Sequence, residues 1–205
     1  MAELTVQDVK KLKEGKRGFT ETVDLAVSVV GLDIKKPENR IREAIKLPNK
    51  VKDMKICFIV EALYGEAKKT KHTVLSKNEF ELKPREAKKL ARDHDIFAIE
   101  APLMAPAAKA LGRYLGPRNK QMMPLPPGLK DLKGFIDGLN HTVQLNITKS
   151  PTAQLAIGKL DLKEEQILEN YNYVIEKIKS RLESKKGQIK SAYLKTTMGK
   201  PMKVM

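Results

Sequence analysis

The feature that most constrains this chain is a change of hydrophobic period that happens twice. From Phe19 the residues alternate, with Phe19, Glu21, Val23, Leu25, Val27 and Val29 on one side and Thr20, Thr22, Asp24, Ala26 and Ser28 on the other. That is the pattern of a strand with one buried and one wet face; Glu21 is the one polar residue on the buried side. At Ile56-Cys57-Phe58-Ile59-Val60 and Ile96-Phe97-Ala98-Ile99 the alternation gives way to unbroken apolar runs, as expected of strands covered on both faces. Near the C-terminus one-sided patterning returns. A stretch of α/β character between two stretches of another kind predicts an inserted domain. The outer domain is then discontinuous, α+β, and built from both chain ends.

The expected divisions are 1–52 and 150–205 for the outer domain and 53–149 for the insert. The outer part begins with a short helix over 5–12, capped by Thr5 and stopped at Gly15. A second alternation follows the Lys36-Pro37-Glu38-Asn39 turn: Ile41, Ile45 and Leu47 face inward, with Arg40, Arg42, Ala44 and Lys46 outward. The insert alternates strands with helices, the clearest helices being Pro84–Asp93 and Leu103–Leu115, so a small three-layer, Rossmann-like unit with a mostly parallel sheet is expected. A proline-rich loop at 123–128 leads to a helix over 129–139, and an alternating strand over 142–148 is expected to close the insert. In the last third, Asp161 reads as a helix N-cap with Glu164 at N3. Ile167, Leu168, Tyr171, Val174, Ile175, Ile178 and Leu182 form a helical core stripe, Gly187 ends the helix, and 188–197 is the closing strand. The two crossings, near 49–52 and 149–151, would act as a double hinge.

A formal net charge of +15 over 205 residues is not confined to a tail. Residues 1–52 carry 12 Lys/Arg against 8 Asp/Glu, 53–149 carry 17 against 11, and 150–205 carry 11 against 6. A basic excess spread over folded segments points to a polyanionic partner, most often nucleic acid. No apolar run approaches the ~18 residues of a membrane span, and the N-terminal residues lack a secretory pattern. Cys57, the single cysteine, has no internal partner for a disulfide. A cytoplasmic chain is expected.

An α/β unit invites an enzyme hypothesis, and the alternative to nucleic-acid binding is a nucleotide-dependent α/β enzyme acting on RNA. The residues after the first buried strand, Glu61-Ala62-Leu63-Tyr64-Gly65, lack a glycine-rich phosphate fingerprint. Gly158-Lys159 is followed by Leu160 and has Ala153 where a Walker loop needs glycine. His72, His94 and His141 are too scattered for a metal site. No catalytic residue, metal or cofactor is expected. A third possibility is a non-specific polyanion binder.

The stretch Ser191-Ala192-Tyr193-Leu194-Lys195-Thr196-Thr197-Met198-Gly199-Lys200-Pro201 starts as a strand and breaks at its glycine and proline. Hydroxyls, lysines and a glycine suit a shaped RNA surface displaying 2′-OH groups. If the outer strands are neighbours, a wet face could gather Thr22, Arg42 and Lys46, bordered by Lys159, Ser191, Lys195 and Thr197-Met198-Gly199. Phe19 and Met198 each read either as a core residue or as an exposed apolar contact, and for Phe19 the two readings are even.

This stretch, together with Phe19-Thr20-Glu21-Thr22-Val23-Asp24-Leu25, Lys36-Pro37-Glu38-Asn39-Arg40-Ile41 running to Leu47-Pro48, and Gly116-Pro117-Arg118, resembles the L-one family of universal large-subunit ribosomal proteins, the mobile stalk proteins, in archaeal form. The resemblance covers essentially the whole chain. It implies a discontinuous outer domain and an inserted α/β domain, binding to large-subunit rRNA at the stalk, assistance in exit-site tRNA release, and repression of translation by binding the messenger RNA of its own operon. It implies an RNA face at Phe19, Thr22, Arg42, Lys159, Ser191, Thr197, Met198 and Gly199, to which Lys195 is added from the strand pattern. A ribosomal, cytoplasmic location is expected, and a monomer when free. The match departs at Gln154, where many relatives have histidine, at Gly18, a place often basic (Arg17 precedes it), and in a longer Gly116–Pro124 loop.

Overall fold

The computed structural model describes residues 6–13, 18–76, 79, 82–118, 120–126, 129, 131–148 and 150–205. The expected cap at Thr5, the stop at Gly15 and the basic Arg17 lie outside the described residues. The chain divides into two compact units, one of residues Met1–Lys52 and Asn140–Met205, the other of Asp53–Leu139.

In the outer unit, helix α1 (Val6–Lys13) precedes strand β1 (Thr22–Val30). Strand β1 is paired on both sides, with β8 (Thr152–Lys159) and β9 (Gln188–Thr196), and the short β10 (Met202–Lys203) extends the sheet beyond β9. All these pairings are antiparallel. Val23, Leu25, Val27 and Val29 are buried, as the alternation requires. They share one core with Ile167, Tyr171, Val174, Ile175, Ile178 and Leu182 of α6 (Glu164–Glu183). Asn170 interrupts that helix stripe yet is fully buried. Its side-chain N–H groups donate to Ile157 O at 2.8 Å and Asn49 O at 3.2 Å, and its carbonyl accepts Asn49 N at 3.0 Å. A buried amide with all these partners fastens Asn49 to the helix instead of destabilising the core.

Strand β7 (Thr142–Ile147) corrects an expectation. It pairs antiparallel with β2 (Ile41–Lys46), from Ile41 opposite Ile147 to Lys46 opposite Thr142, and buries Val143, Leu145 and Ile147 in the outer core. The second crossing therefore falls at 139/140, not 149/150. Its one-sided alternation is that of the outer strands, whereas insert strands are apolar throughout; sequence proximity to the insert misplaced it. Strand β8 is not evident in the sequence, where Pro151 stands just before it and alanines dilute its alternation. Helix α6 begins two residues later than its apparent cap: Lys163 occupies the N-cap, its N–H donating to Gln166 Oε1 at 3.1 Å. Asp161 instead accepts the Thr20 hydroxyl at 3.4 Å. At the far end Lys186, with φ 57°, takes the left-handed conformation usually given to glycine, while Gly187 is buried.

The inserted unit holds a parallel sheet ordered β4-β3-β5-β6, from β3 (Ile56–Ile59), β4 (Thr73–Leu75), β5 (Ile96–Glu100) and β6 (Gln121–Leu125), with the one-turn helix α2 (Tyr64–Ala67) between β3 and β4. Successive residues of the apolar runs supply opposite layers. Cys57, Ile59, Phe97 and Ile99 pack with residues of α3 (Pro84–Asp93) and α4 (Met104–Leu115). Ile56, Phe58, Ile96 and Ala98 pack with Leu132 and Leu139 of α5 (Leu132–Asn140). This is the three-layer arrangement that unbroken hydrophobicity demands. Residues 121–125, expected partly as proline-rich loop, form the sheet's edge strand, where a missing N–H at Pro124 is tolerated. No helix among the described residues is long and apolar enough to cross a membrane.

Candidate nucleic-acid interface

Because the odd-numbered side chains of β1 fill the core, its even-numbered ones form the open face of the outer sheet. Register assembles that face in rows. Thr22 stands opposite Lys159, Asp24 between Ala156 and Lys195, Ala26 between Gln154 and Tyr193, and Ser28 between Thr152 and Ser191. Hydroxyls, a phenol, an amide and two lysines thus share a half-exposed surface with one carboxylate. Burial pushes the Asp24 carboxyl above its ordinary range, and the neighbouring Lys195 charge works against that rise.

At the Thr22 end the two ends of the chain are sewn together. Thr22 N donates to Thr197 Oγ1 at 3.1 Å, and Thr197 N donates back to Thr22 O at 3.1 Å. One residue further, Met198 N donates to Glu21 Oε1 at 3.0 Å. Glu21, 2% exposed, is therefore a buried acceptor that holds the turn, which explains the polar residue on the strand's apolar side. With its amide so fixed, Met198 is 60% exposed and Phe19 is 54% exposed. Neither is a core residue. Gly199 has a structural reason of its own: a Cβ there would lie 2.2 Å from the hydroxyl of Thr196, which is itself buried.

The structure accordingly brings Thr22, Lys159, Thr197, Met198 and Gly199 to one tip, following exposed Phe19, with Lys195 one row inward. Ser191 shares the face but sits by Ser28, roughly 20 Å along the strand at about 3.3 Å per residue. Arg42 is not a member of this sheet. It lies on the outward side of the β2–β7 ribbon, opposite Asn146, so the expected grouping of Arg42 and Lys46 with Thr22 by strand pairing does not occur. Tyr193, 38% exposed, is absent from the expected RNA face, although its parity with Ser191 and Lys195 places it on the same side of the sheet.

The insert answers the nucleotide question with a specific contact. In a parallel sheet, phosphates are met by backbone N–H groups just beyond the C-terminal strand ends. Here the N–H groups of Glu61, Ala62 and Leu63, just past β3, donate to the carboxylate of Glu100 at 3.0–3.3 Å. The protein supplies its own anion at that place. Cys57 is buried, and desolvation pushes its thiol up to about 12, which keeps it protonated and unreactive. His94 is held between Leu90 O and Thr73 Oγ1, and His141 by Leu47 O. Among the described residues no group of three His, Cys, Asp or Glu side chains could hold a metal ion.

Comparison with known proteins adds a family to this geometry. The model of the ribosomal protein L1p/L10e family matches residues 9–200. The large ribosomal subunit protein uL1 of Thermococcus kodakarensis is 39% identical over 206 residues, covering 96% of this chain and 95% of that protein. Its counterpart from Pyrococcus abyssi is 38% identical, covering 96% and 94%. That from Methanosphaera stadtmanae is 36% identical over 213 residues, with both chains covered in full. With a match over nearly its whole length and relatives aligned from end to end, the chain belongs to the ribosomal protein L1p/L10e family, a family of ribosomal proteins and not of catalysts.

Proposed function

We propose that this chain is a structural constituent of the large ribosomal subunit that binds large-subunit rRNA at the mobile stalk. Its outer unit makes the contact, through the open sheet face and the Thr197-Met198-Gly199 turn. The observation that carries the reading is the reciprocal pair of hydrogen bonds between Thr22 and Thr197. It unites two distant stretches into one exposed tip that offers hydroxyls, a thioether and an aromatic ring beside lysine. Lysines answer phosphates, and hydroxyls answer ribose 2′-OH groups. A net charge of +15 supports the same partner, and the relatives' printed names supply the subunit.

From a seat at the stalk, assistance in exit-site tRNA release follows, as does translational repression when a similar fold in the messenger of its own operon occupies the same face. The two RNAs then compete. Titration of a stalk rRNA fragment against a scrambled control tests the reading. Met198→Ala is expected to weaken stalk RNA binding at least tenfold with an unchanged melting curve, and messenger RNA is expected to displace the rRNA. Equal affinity for both RNAs, indifferent to Met198, would leave only a non-specific polyanion binder.

A further inference from the structure

The chain has eight methionines, and all but Met1 lie among the described residues. Six of these are half-buried and packed against a core. Met202 and Met205 pack in the outer unit, Met104 and Met122 on one side of the insert's sheet, and Met54 and Met123 on the other. Among the described methionines Met198 alone is exposed. Cys57 is buried, and with its thiol pushed up to about 12 it stays protonated and does not compete for an oxidant. Exposure thus sets one sulfur atom of the described chain apart for reaction with peroxide.

That sulfur is carried by a turn whose backbone has little freedom. Thr197 exchanges hydrogen bonds with Thr22, Met198 N donates to Glu21 Oε1 at 3.0 Å, and Gly199 N donates to Thr196 O at 3.2 Å. Three successive residues are therefore tied down. The methionine side chain can turn about its own bonds, but the backbone cannot carry it away from the tip. A change in the chemistry of this side chain is felt at the RNA contact itself, not taken up by a shift of the loop.

We infer that Met198 is a reversible oxidation site through which peroxide weakens RNA binding. The inference rests on the RNA-binding reading above. Hydrogen peroxide is the oxidant. The thioether sulfur attacks one peroxide oxygen, so that an S–O bond forms and the O–O bond breaks. The other oxygen leaves as hydroxide and takes the proton of the transferred hydroxyl, giving a sulfoxide and water. Sulfur gives up one electron pair, which the peroxide receives. The product presents a strong acceptor oxygen where the thioether presented apolar surface. The sugar–phosphate surface of RNA is itself rich in acceptors, so the new oxygen loses its water there without gaining a matched donor, and affinity falls. A methionine sulfoxide reductase supplied with a dithiol reverses the change, releasing the oxygen as water and leaving the dithiol as a disulfide.

The test treats the full chain with a limiting dose of hydrogen peroxide and locates the added oxygen by peptide mass mapping. A stalk rRNA fragment is titrated with wild type, Met198→Leu and Met198→Ala before and after treatment. Met198 is expected to be the first residue oxidised in wild type, with affinity falling about tenfold at that stage and the melting curve unchanged. Treatment should move the affinity of Met198→Leu by less than about twofold from that variant's own untreated value, since the core methionines are shielded. Reductases for both sulfoxide epimers, with dithiothreitol, should restore wild-type binding. Prior oxidation of another methionine overturns the inference, as does an equal loss in treated Met198→Leu. Affinity that stays low once mass mapping shows the thioether restored overturns it too. If wild type oxidised at Met198 keeps its affinity, the inference also fails, and untreated Met198→Ala then separates the two readings. Weaker binding by the alanine variant leaves the RNA contact standing without redox control, whereas wild-type binding by it removes the RNA reading of this turn as well.

Discussion

The carboxylate of Glu21 lies buried beneath the Thr197 turn and accepts the backbone N–H of Met198 at 3.0 Å. The residue just before β1 thereby fixes the backbone of Met198, whose side chain is 60% exposed, near the other end of the chain. A buried charge-assisted hydrogen bond of this kind costs about 1.5–3 kcal/mol to lose. Glu21→Ala is expected to reduce stability by that amount in urea unfolding and to weaken rRNA binding with it, because the turn loses its anchor. Glu21→Gln keeps an acceptor oxygen and should fall between the two. Wild-type affinity in Glu21→Ala would show that the turn holds its shape without this bond.

Gly199 is required by close approach. A methyl group there would meet Thr196 Oγ1 at 2.2 Å, and Thr196 is 2% exposed, with little space in which to turn. Gly199→Ala should cost about 1–3 kcal/mol, as overpacking does. Adding Thr196→Ala removes the colliding hydroxyl, so the double variant should be more stable than the sum of the single changes implies. Strict additivity in that cycle would refute the collision.

Asp24 makes the interface sensitive to pH in a definite direction. Burial raises its carboxyl above the ordinary 3.8, against the pull of Lys195. A raised acid favours the folded state when protonated. That contribution is complete below 3.8 and is lost as pH rises through the folded value. Asp24→Asn is therefore expected to be slightly more stable than wild type at neutral pH, by less than about 1 kcal/mol since the site is half open to solvent, with the gap closing in acid. The same change removes the one carboxylate from the rows of the open face and should raise RNA affinity several-fold at pH 7. Weaker RNA binding by Asp24→Asn would instead mark the carboxylate as an acceptor for RNA donors.

Glu100 predicts a change confined to the insert. Glu100→Ala frees the N–H groups of Glu61, Ala62 and Leu63 to water, at a cost of about 1–2 kcal/mol. Hydrogen exchange at those three amides should accelerate, with rRNA affinity unchanged. Unaltered exchange would mean that the loop is held by something other than this carboxylate.

Much of the fold is legible in the residues because burial on one face and burial on two faces leave different patterns. The parity of Val23 through Val29, the stripe from Ile167 to Leu182 and the double-sided runs at Ile56 and Ile96 all reappear in the cores. Two departures, the placing of the 142–147 strand and of Arg42, share a cause. The 142–147 strand carries the outer unit's alternation but sits beside the insert in sequence, and its partner, Ile41–Lys46, lies about a hundred residues earlier. In the candidate site, hydroxyl and lysine positions were readable from parity. The grouping of Arg42 with Thr22 was not, because alternation tells which way a side chain faces and not which sheet it joins.

By itself the sequence determined two kinds of layer, a discontinuous outer unit around an insert, and a basic surface suited to a polyanion, since period and composition are local properties that survive in any register. Only the tertiary structure decided that Thr22 and Thr197 exchange hydrogen bonds, that a buried Glu21 fastens Met198, and that Glu100 fills the insert's own anion site. Each of these is a contact between residues far apart in the chain. A buried donor or acceptor must find its partner in space, and no local pattern names that partner.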